Sequence, residues 1–397
     1  MDIARIETGV DKAIEEFKLS GRGVLVATID RGIDWRNDDF RHEDGSTRIE
    51  WMFDLTDDRG KKDPLNQFSV GTIYHKNSIN RALCDGSRLN IRDAVGHGTT
   101  TAAIACGSGR NNPDRKYRGI APEASLIVVK ICSDGAPRHD QEPAERKFFK
   151  YERIAFAIDF IRDRARELNM PCVMVLNIGT QGGATDATSW LCKQIDATVG
   201  PETSGLVFVT GPGDEGTDRK HRRTTILNGK QVPVGTIWDA ASAHYNICPG
   251  DYVIRTEWTD VDGVPRANLG EGGVGDIWTG SSVGPTADGR IGIDICAPGD
   301  SVFTTYNPKS DWATYRYNLI HDGSELYGRA SAVSAANPMT AGIIALMLQR
   351  NPLLNGPKTK SILQMTARKD TFTGDVPNVF WGFGKIDAYA AIKMCSD

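Results

Sequence analysis

A chain of 397 residues with a formal net charge of −4 can bury a large core, and it carries no basic footprint for nucleic acid or an anionic membrane. Charged residues at 25% and 42 glycines are ordinary for a loop-rich globular α/β enzyme. No apolar run approaches the roughly 20 residues that span a bilayer.

Residues 7–17 read as a short helix that ends before Gly21 and Gly23. Residues 24–29 are a continuous apolar, β-rich run, the pattern of a strand buried in a parallel sheet, and the run stops at Asp30-Arg31-Gly32. Residues 36–92 are polar and punctuated by Gly, Pro, Asn and Asp, which predicts a long surface excursion with a few short strands. A small-residue segment from Gly96 predicts a helix with His97 in its first turn. Residues 126–131, 172–178 and 206–209 supply further strands. Between them, residues 144–168 carry apolar side chains at helical spacing (Phe148, Ile154, Ala157, Ile158, Ile161), and a second helix is expected around residues 190–198.

Residues 217–290 are less regular, with a β-like piece at 252–258. Gly270-Glu271-Gly272-Gly273-Val274-Gly275 fits a dinucleotide-binding spacing, but it opens no helix after a strand, so a nucleotide-binding reading is set aside. Residues 328–349 place small residues before Pro338 and an apolar run after it, which reads as a serine, Ser334, at the mouth of a buried helix. Ala341, Gly342 and Ala345 leave a face of that helix with almost no bulk. Residues 358–367 and 388–394 are the closing helices. Strand and helix alternate, so the expected fold is α/β: a three-layer, doubly wound, mostly parallel sheet with helices on both faces. One domain is expected over residues 1–397, with surface insertions near 40–92 and 217–280.

Three residues could act together in such a fold, because reactive groups collect at the carboxyl ends of parallel strands and at the helix starts beside them. Asp30 ends the first strand. His97 opens a helix between two glycines. Ser334 opens the small-faced helix, where free N–H groups and the positive end of the helix dipole could hold a developing oxyanion. An alcohol needs a base within hydrogen-bond reach, and an imidazole serves when a carboxylate fixes its tautomer. Each residue alone has a plainer reading, as a strand-end turn, a core histidine or a helix cap. The chain order Asp, His, Ser is the order of subtilisin.

The local contexts carry a resemblance. Thr28-Ile29-Asp30-Arg31-Gly32, Gly96-His97-Gly98-Thr99 and Ser334 with Pro338 and Gly342 resemble the three signature blocks of the subtilisin-like serine peptidases, the subtilases. Gly119-Ile120-Ala121-Pro122, Val175-Leu176-Asn177-Ile178-Gly179, Ala297-Pro298-Gly299 and Trp381-Gly382-Phe383-Gly384 resemble further family blocks, so the similarity covers roughly residues 20–392. It implies a serine endopeptidase with Ser334 as nucleophile, His97 as base and Asp30 as the orienting carboxylate. Two departures stand out. Val333 replaces the threonine usual before the nucleophile. Asp214, in Gly213-Asp214-Glu215-Gly216, replaces the asparagine usual as the side-chain donor to the oxyanion, as it does in some relatives.

A carboxylate cannot donate a hydrogen bond but a carboxylic acid can, so Asp214 is expected to work protonated, with an optimum shifted towards acid. The resemblance also implies a peptide or protein substrate lying extended between residues 129–135 and 177–183, with Ser133, Gly135, Ile178, Gly179, Thr180, Gln181 and Gly213 in contact with it. Its first side-chain pocket, between residues 178–181 and 209–213, is expected to be a roomy, largely apolar slot. No cofactor is required; structural calcium is common in the family, but carboxylates at Asp54-Asp57-Asp58 and Asp260-Asp262 are expected as solvated turns, and no ligand is assigned. The alternative to an active peptidase is a peptide-binding pseudopeptidase. The eight scattered cysteines are expected as small buried hydrophobes, which favours a reducing compartment. The first residues lack a signal-peptide pattern, so the chain is expected to be leaderless, a matured form or a truncated one; compartment and oligomeric state stay open.

Overall fold

The computed structural model describes residues 1–138, 143–216, 224–227, 230–233 and 235–395. Six strands make the central sheet: β1 (Leu25–Asp30), β2 (Ile49–Asp54), β3 (Thr72–His75), β4 (Ser125–Lys130), β5 (Cys172–Leu176) and β6 (Leu206–Thr210), in the order β3-β2-β4-β1-β5-β6. All neighbours are parallel except β3, which runs antiparallel to β2 at one edge. β1 therefore lies inside the sheet, with β4 and β5 on its two sides.

Each central strand is apolar on both faces because both faces are covered. Val26, Leu126, Val128, Val173 and Val175 face a layer that includes helices α1 (His97–Cys106) and α4 (Val333–Arg350). Leu25, Ala27, Ile127, Val129, Met174 and Phe208 face the opposite layer, with α2 (Arg153–Leu168) and α3 (Trp190–Val199). That is the expected three-layer architecture. Ile343, Ile344, Leu346 and Leu348 on α4 are fully buried, each contributing about 1.5–3 kcal/mol.

Two glycines set the approach of the α1–α4 layer. A Cβ on Gly342 would lie 2.8 Å from the Ala105 carbonyl of α1, and a Cβ on Gly98 would lie 2.0 Å from the Gly32 carbonyl just beyond β1. The bare face read from residues 341–345 thus lets α4 touch the backbone of α1, and α1 touches the loop that follows Asp30.

Several expected boundaries move. The helix expected over 144–168 starts only at Arg153, because Phe148–Phe149 pairs antiparallel with Cys132–Ser133 in a small two-stranded sheet, and that pairing overrides the helical spacing. Gly9, in the left-handed region at φ 75°, splits the first helix into Ala4–Glu7 and Val10–Phe17. The excursion at 40–92 is not all surface: β2 is inserted beside β4, and Trp51, Phe53 and Met52 alternate between the two cores. Pro249–Val253, inside the second expected insertion, pairs parallel with Ile295–Asp300 in a small buried sheet. Residues 217–223, 228, 229 and 234 of that insertion lie outside the described residues. All eight cysteines are free and seven are buried, as their apolar settings implied. No helix among the described residues is long and apolar enough to cross a membrane.

Candidate active site

Asp30, His97 and Ser334 meet at the carboxyl end of β1. His97 Nδ1 lies 2.7 Å from Asp30 Oδ1, and His97 Nε2 lies 2.9 Å from Ser334 Oγ. Facing a carboxylate, Nδ1 carries the proton, which leaves the Nε2 lone pair for the serine hydroxyl. Asp30 is fully buried. Burial pushes its carboxyl up, but the His97 ring, the Arg31 guanidinium and the Arg31 N–H at 2.6 Å outweigh burial and hold it below the usual carboxylate range. Asp30 is therefore ionised at neutral pH and can steady an imidazolium at His97.

Neighbouring groups hold the trio. Asp93 accepts the N–H groups of Gly96 (2.9 Å) and Thr99 (2.7 Å), capping α1 at the histidine. The Trp312 ring stands edge-on to the imidazole at 5.5 Å between centroids. Pro338 lies inside α4 and has no N–H for the Ser334 carbonyl one turn back. Asn177 fills that gap: its Nδ2 donates to Ser334 O and to Thr101 Oγ1, both at 2.9 Å, and its Oδ1 accepts from Asn337 at 2.9 Å. One amide thus ties the end of β5 to the helices of both His97 and Ser334. Sequence reasoning quoted Asn177 only as part of a strand block; its pairing with Pro338 was the available signal. Asn177→Ala is expected to lower the unfolding free energy by about 2–4 kcal/mol, since it orphans buried polar groups on two helices, and a urea titration would show it. A loss under 0.5 kcal/mol would remove the tie from the account.

The sequence model of the subtilase family matches residues 21–384. The chain belongs to the subtilase family. Among curated proteins it is similar to the serine protease AprX of Bacillus subtilis (strain 168), 26% identical over 375 residues, which is 93% of this chain and 66% of AprX. This subtilase thus spans just under two thirds of that relative's length. Among solved structures it resembles the CspB protease of Clostridium perfringens, with a TM-score of 0.73 and 18% identity over 100% of this chain and 98% of the other. It also resembles fervidolysin from Fervidobacterium pennivorans, a keratinolytic enzyme related to subtilisin. There the TM-score is 0.57, at 18% identity over 95% of this chain and 43% of the other. Both likenesses are of fold.

In this subtilase, Asp214 reaches the mouth of the serine helix, where its Oδ1 accepts the Val333 N–H at 3.1 Å. Loss of water among the surrounding protein atoms pushes its carboxyl up, to about 6, with the Glu215 charge adding to the push and the Val333 N–H and His97 opposing it. The residue stays open to the cleft. Water there offsets part of the push, so the chemistry rests on its direction, towards a neutral acid.

The first pocket is not the roomy slot expected. Residues 236–239 floor it: Trp238 N donates to Pro212 O at 2.8 Å and Asp239 N to Thr180 O at 3.1 Å, so this stretch bridges both walls. A Cβ on Gly179 would lie 2.1 Å from the Trp238 ring, and one on Gly213 would lie 2.4 Å from the indole nitrogen. The indole occupies the space between the walls, fixed by its N–H on Glu215 Oε1 at 3.0 Å. Small wall residues signalled room, but the side chain that fills it comes from a distant stretch. The structure places three more of the expected contact residues. The Ile178 side chain packs into the core beneath the sheet, so only its backbone faces the cleft. Ser133 pairs with Phe148, and Gly135 lies against Lys147, so the chain itself covers one side of residues 133–135.

The acidic turns do not fit a calcium ion. Asp57 pairs with Arg59 (2.8 Å), Asp58 with Arg153 (3.0 Å), Asp260 with Arg266 (2.7 Å) and Asp262 with Arg316 (2.6 Å), while Asp54 accepts from Thr56. Among the described residues no group of three or more His, Cys, Asp or Glu could hold a metal.

Proposed function

We propose that this subtilase is a serine endopeptidase acting on peptide or protein substrates. The observation that carries the reading is the unbroken line of hydrogen bonds from Asp30 through His97 to Ser334. Ser334 Oγ attacks the scissile carbonyl as His97 Nε2 takes its proton, and Asp30 steadies the imidazolium. The tetrahedral oxyanion sits at the mouth of α4, on the Ser334 N–H and the protonated Asp214 carboxyl. His97 then returns the proton to the leaving amine, and water hydrolyses the acyl-serine by the same steps.

Incubation with a fluorophosphonate tests the assignment. Covalent capture that disappears in Ser334→Ala supports it, and no capture alongside clear peptide binding favours the pseudopeptidase. One observation supports that second reading: an ionised Asp214 already holds the Val333 N–H at the helix mouth. Intact Asp30, His97 and Ser334 favour activity.

With Trp238 between its walls, the first pocket takes small side chains. Trp238→Ala is expected to raise kcat/KM for a large apolar residue before the scissile bond by about 10- to 100-fold relative to alanine there. Parallel assays of two such peptides read the ratio. An unchanged ratio would place the pocket elsewhere.

A further inference from the structure

The end of α1 farthest from His97 closes on a cavity of about 510 Å³. Five arginines and two glutamates line it, a formal charge of +3. The glutamates are matched at the rim, Glu123 with Arg22 (3.1 Å) and Glu43 with Arg115 (2.7 Å). The inner arginines are not matched in the same way.

Arg48 is 2% exposed, yet its guanidinium meets only neutral carbonyls, those of Ala124 (2.6 Å), Asp39 (2.5 Å) and Cys106 (2.6 Å). Among the described residues no carboxylate pairs with it. Arginine keeps its proton when buried, so the cation has no direct ion-pair partner and only the more distant Asp39 and Glu123 carboxyls to offset it. Burial pushes its pKa down, against weaker support from the Cys106 thiol and the Asp39 and Glu123 carboxyls. Its Nε has no hydrogen-bond partner. The same holds for Arg41 Nε, Arg118 Nε and Ser108 Oγ, all buried atoms of residues lining the same cavity. Arg41 and Arg118 hold acids outside the cavity with their far ends, Asp38 at 3.1 Å and Asp11 at 3.5 Å.

Those four atoms have almost no surface open to the cavity, so it is the cations lining it, rather than ready-placed N–H groups, that suit an oxyanion with several acceptor oxygens. The volume exceeds one inorganic anion, and Ile14 and Leu19 add apolar lining. We propose that this cavity binds a small phosphate-bearing molecule, its phosphate drawn to the charges of Arg41, Arg48 and Arg118. The site is separate from the catalytic cleft, about 15 Å away along the ten residues of α1. It does not depend on the peptidase reading.

Calorimetric titration of the whole chain with inorganic phosphate, tripolyphosphate and ATP tests it, with sulfate as the control anion. One equivalent of tripolyphosphate or ATP is expected to bind with a Kd below about 1 mM, weakened at least ~10-fold in both Arg118→Gln and Arg41→Gln. A gain over inorganic phosphate identifies an organic or condensed phosphate; equal affinities identify the free ion. Arg48→Met should lose binding altogether. Because it also breaks three backbone contacts, the two milder variants decide if it does not fold, with circular dichroism as the check on them. No saturable binding by any probe, or binding unchanged in both milder variants or matched by sulfate, overturns the proposal.

Discussion

Ser334→Ala is expected to cut peptide hydrolysis by about six orders of magnitude, and His97→Ala by a similar factor. The two losses should not add. Among the described residues, Ser334 Oγ has one base within reach, His97 Nε2 at 2.9 Å, so removing either group ends the same proton transfer. The double variant should match the single ones, and substrate binding should survive in all three, because neither side chain forms the pocket walls. Single-turnover hydrolysis with an equilibrium binding measurement separates the two quantities. If Ser334→Ala keeps more than about one hundredth of the rate, the nucleophile is another group and the mechanism proposed here fails.

The second large effect concerns Asp214. Its folded-state pKa is raised to about 6, so the neutral, hydrogen-donating acid predominates below that pH and the carboxylate above it. Only the neutral form donates to an oxyanion, and the carboxylate repels one. The rate of the native chain should therefore fall as pH rises from the usual carboxylate range towards about 6. Asp214→Asn donates at every pH, and near pH 8 it should exceed the native rate by about 100- to 1000-fold. Its pH profile should be flat where the native one declines. A substrate lying over Asp214 excludes more water and moves the native decline to higher pH. An equal native rate from neutral to alkaline pH, or no gain from the asparagine, would show that Asp214 does not serve the oxyanion.

These two results bear differently on the site. Ser334 and His97 test whether the cleft is catalytic at all. Asp214 tests whether it is tuned to acid, which stays open even if the first test succeeds. The pseudopeptidase reading requires both the labelling and the Ser334 experiment to fail while peptide still binds.

Much of this site was legible because it rests on local pattern. The apolar run before Asp30, the glycines around His97 and the small-residue face after Ser334 each specify an element by period and bulk, and each reactive residue sits where its element starts or stops. Gly98 and Gly342 carried their meaning in the sequence as well, because only a missing side chain allows backbone to approach so closely. Asp214 was legible as a departure from a family block. That its carboxyl is pushed up follows from the atoms packed around it.

Other features depend on residues far apart in the chain, which periodicity cannot join. Trp238 enters the first pocket although the wall residues predicted space, because a pocket's volume is set by every segment that reaches it. Phe148–Phe149 left its expected helix because Cys132–Ser133, distant in the chain, offered its backbone partners. β2 was hidden by the polar average of its surroundings. The basic cavity draws its arginines from the stretches before β1, before β2 and before β4, so no single stretch shows a cluster. The sequence by itself determined the layered α/β fold and put Asp30, His97 and Ser334 at the ends of their strand and helices, since each follows from neighbours in the chain. Their distances, the plugged pocket and the raised Asp214 carboxyl were decided only by tertiary packing, because burial and charge are summed over atoms that meet in space.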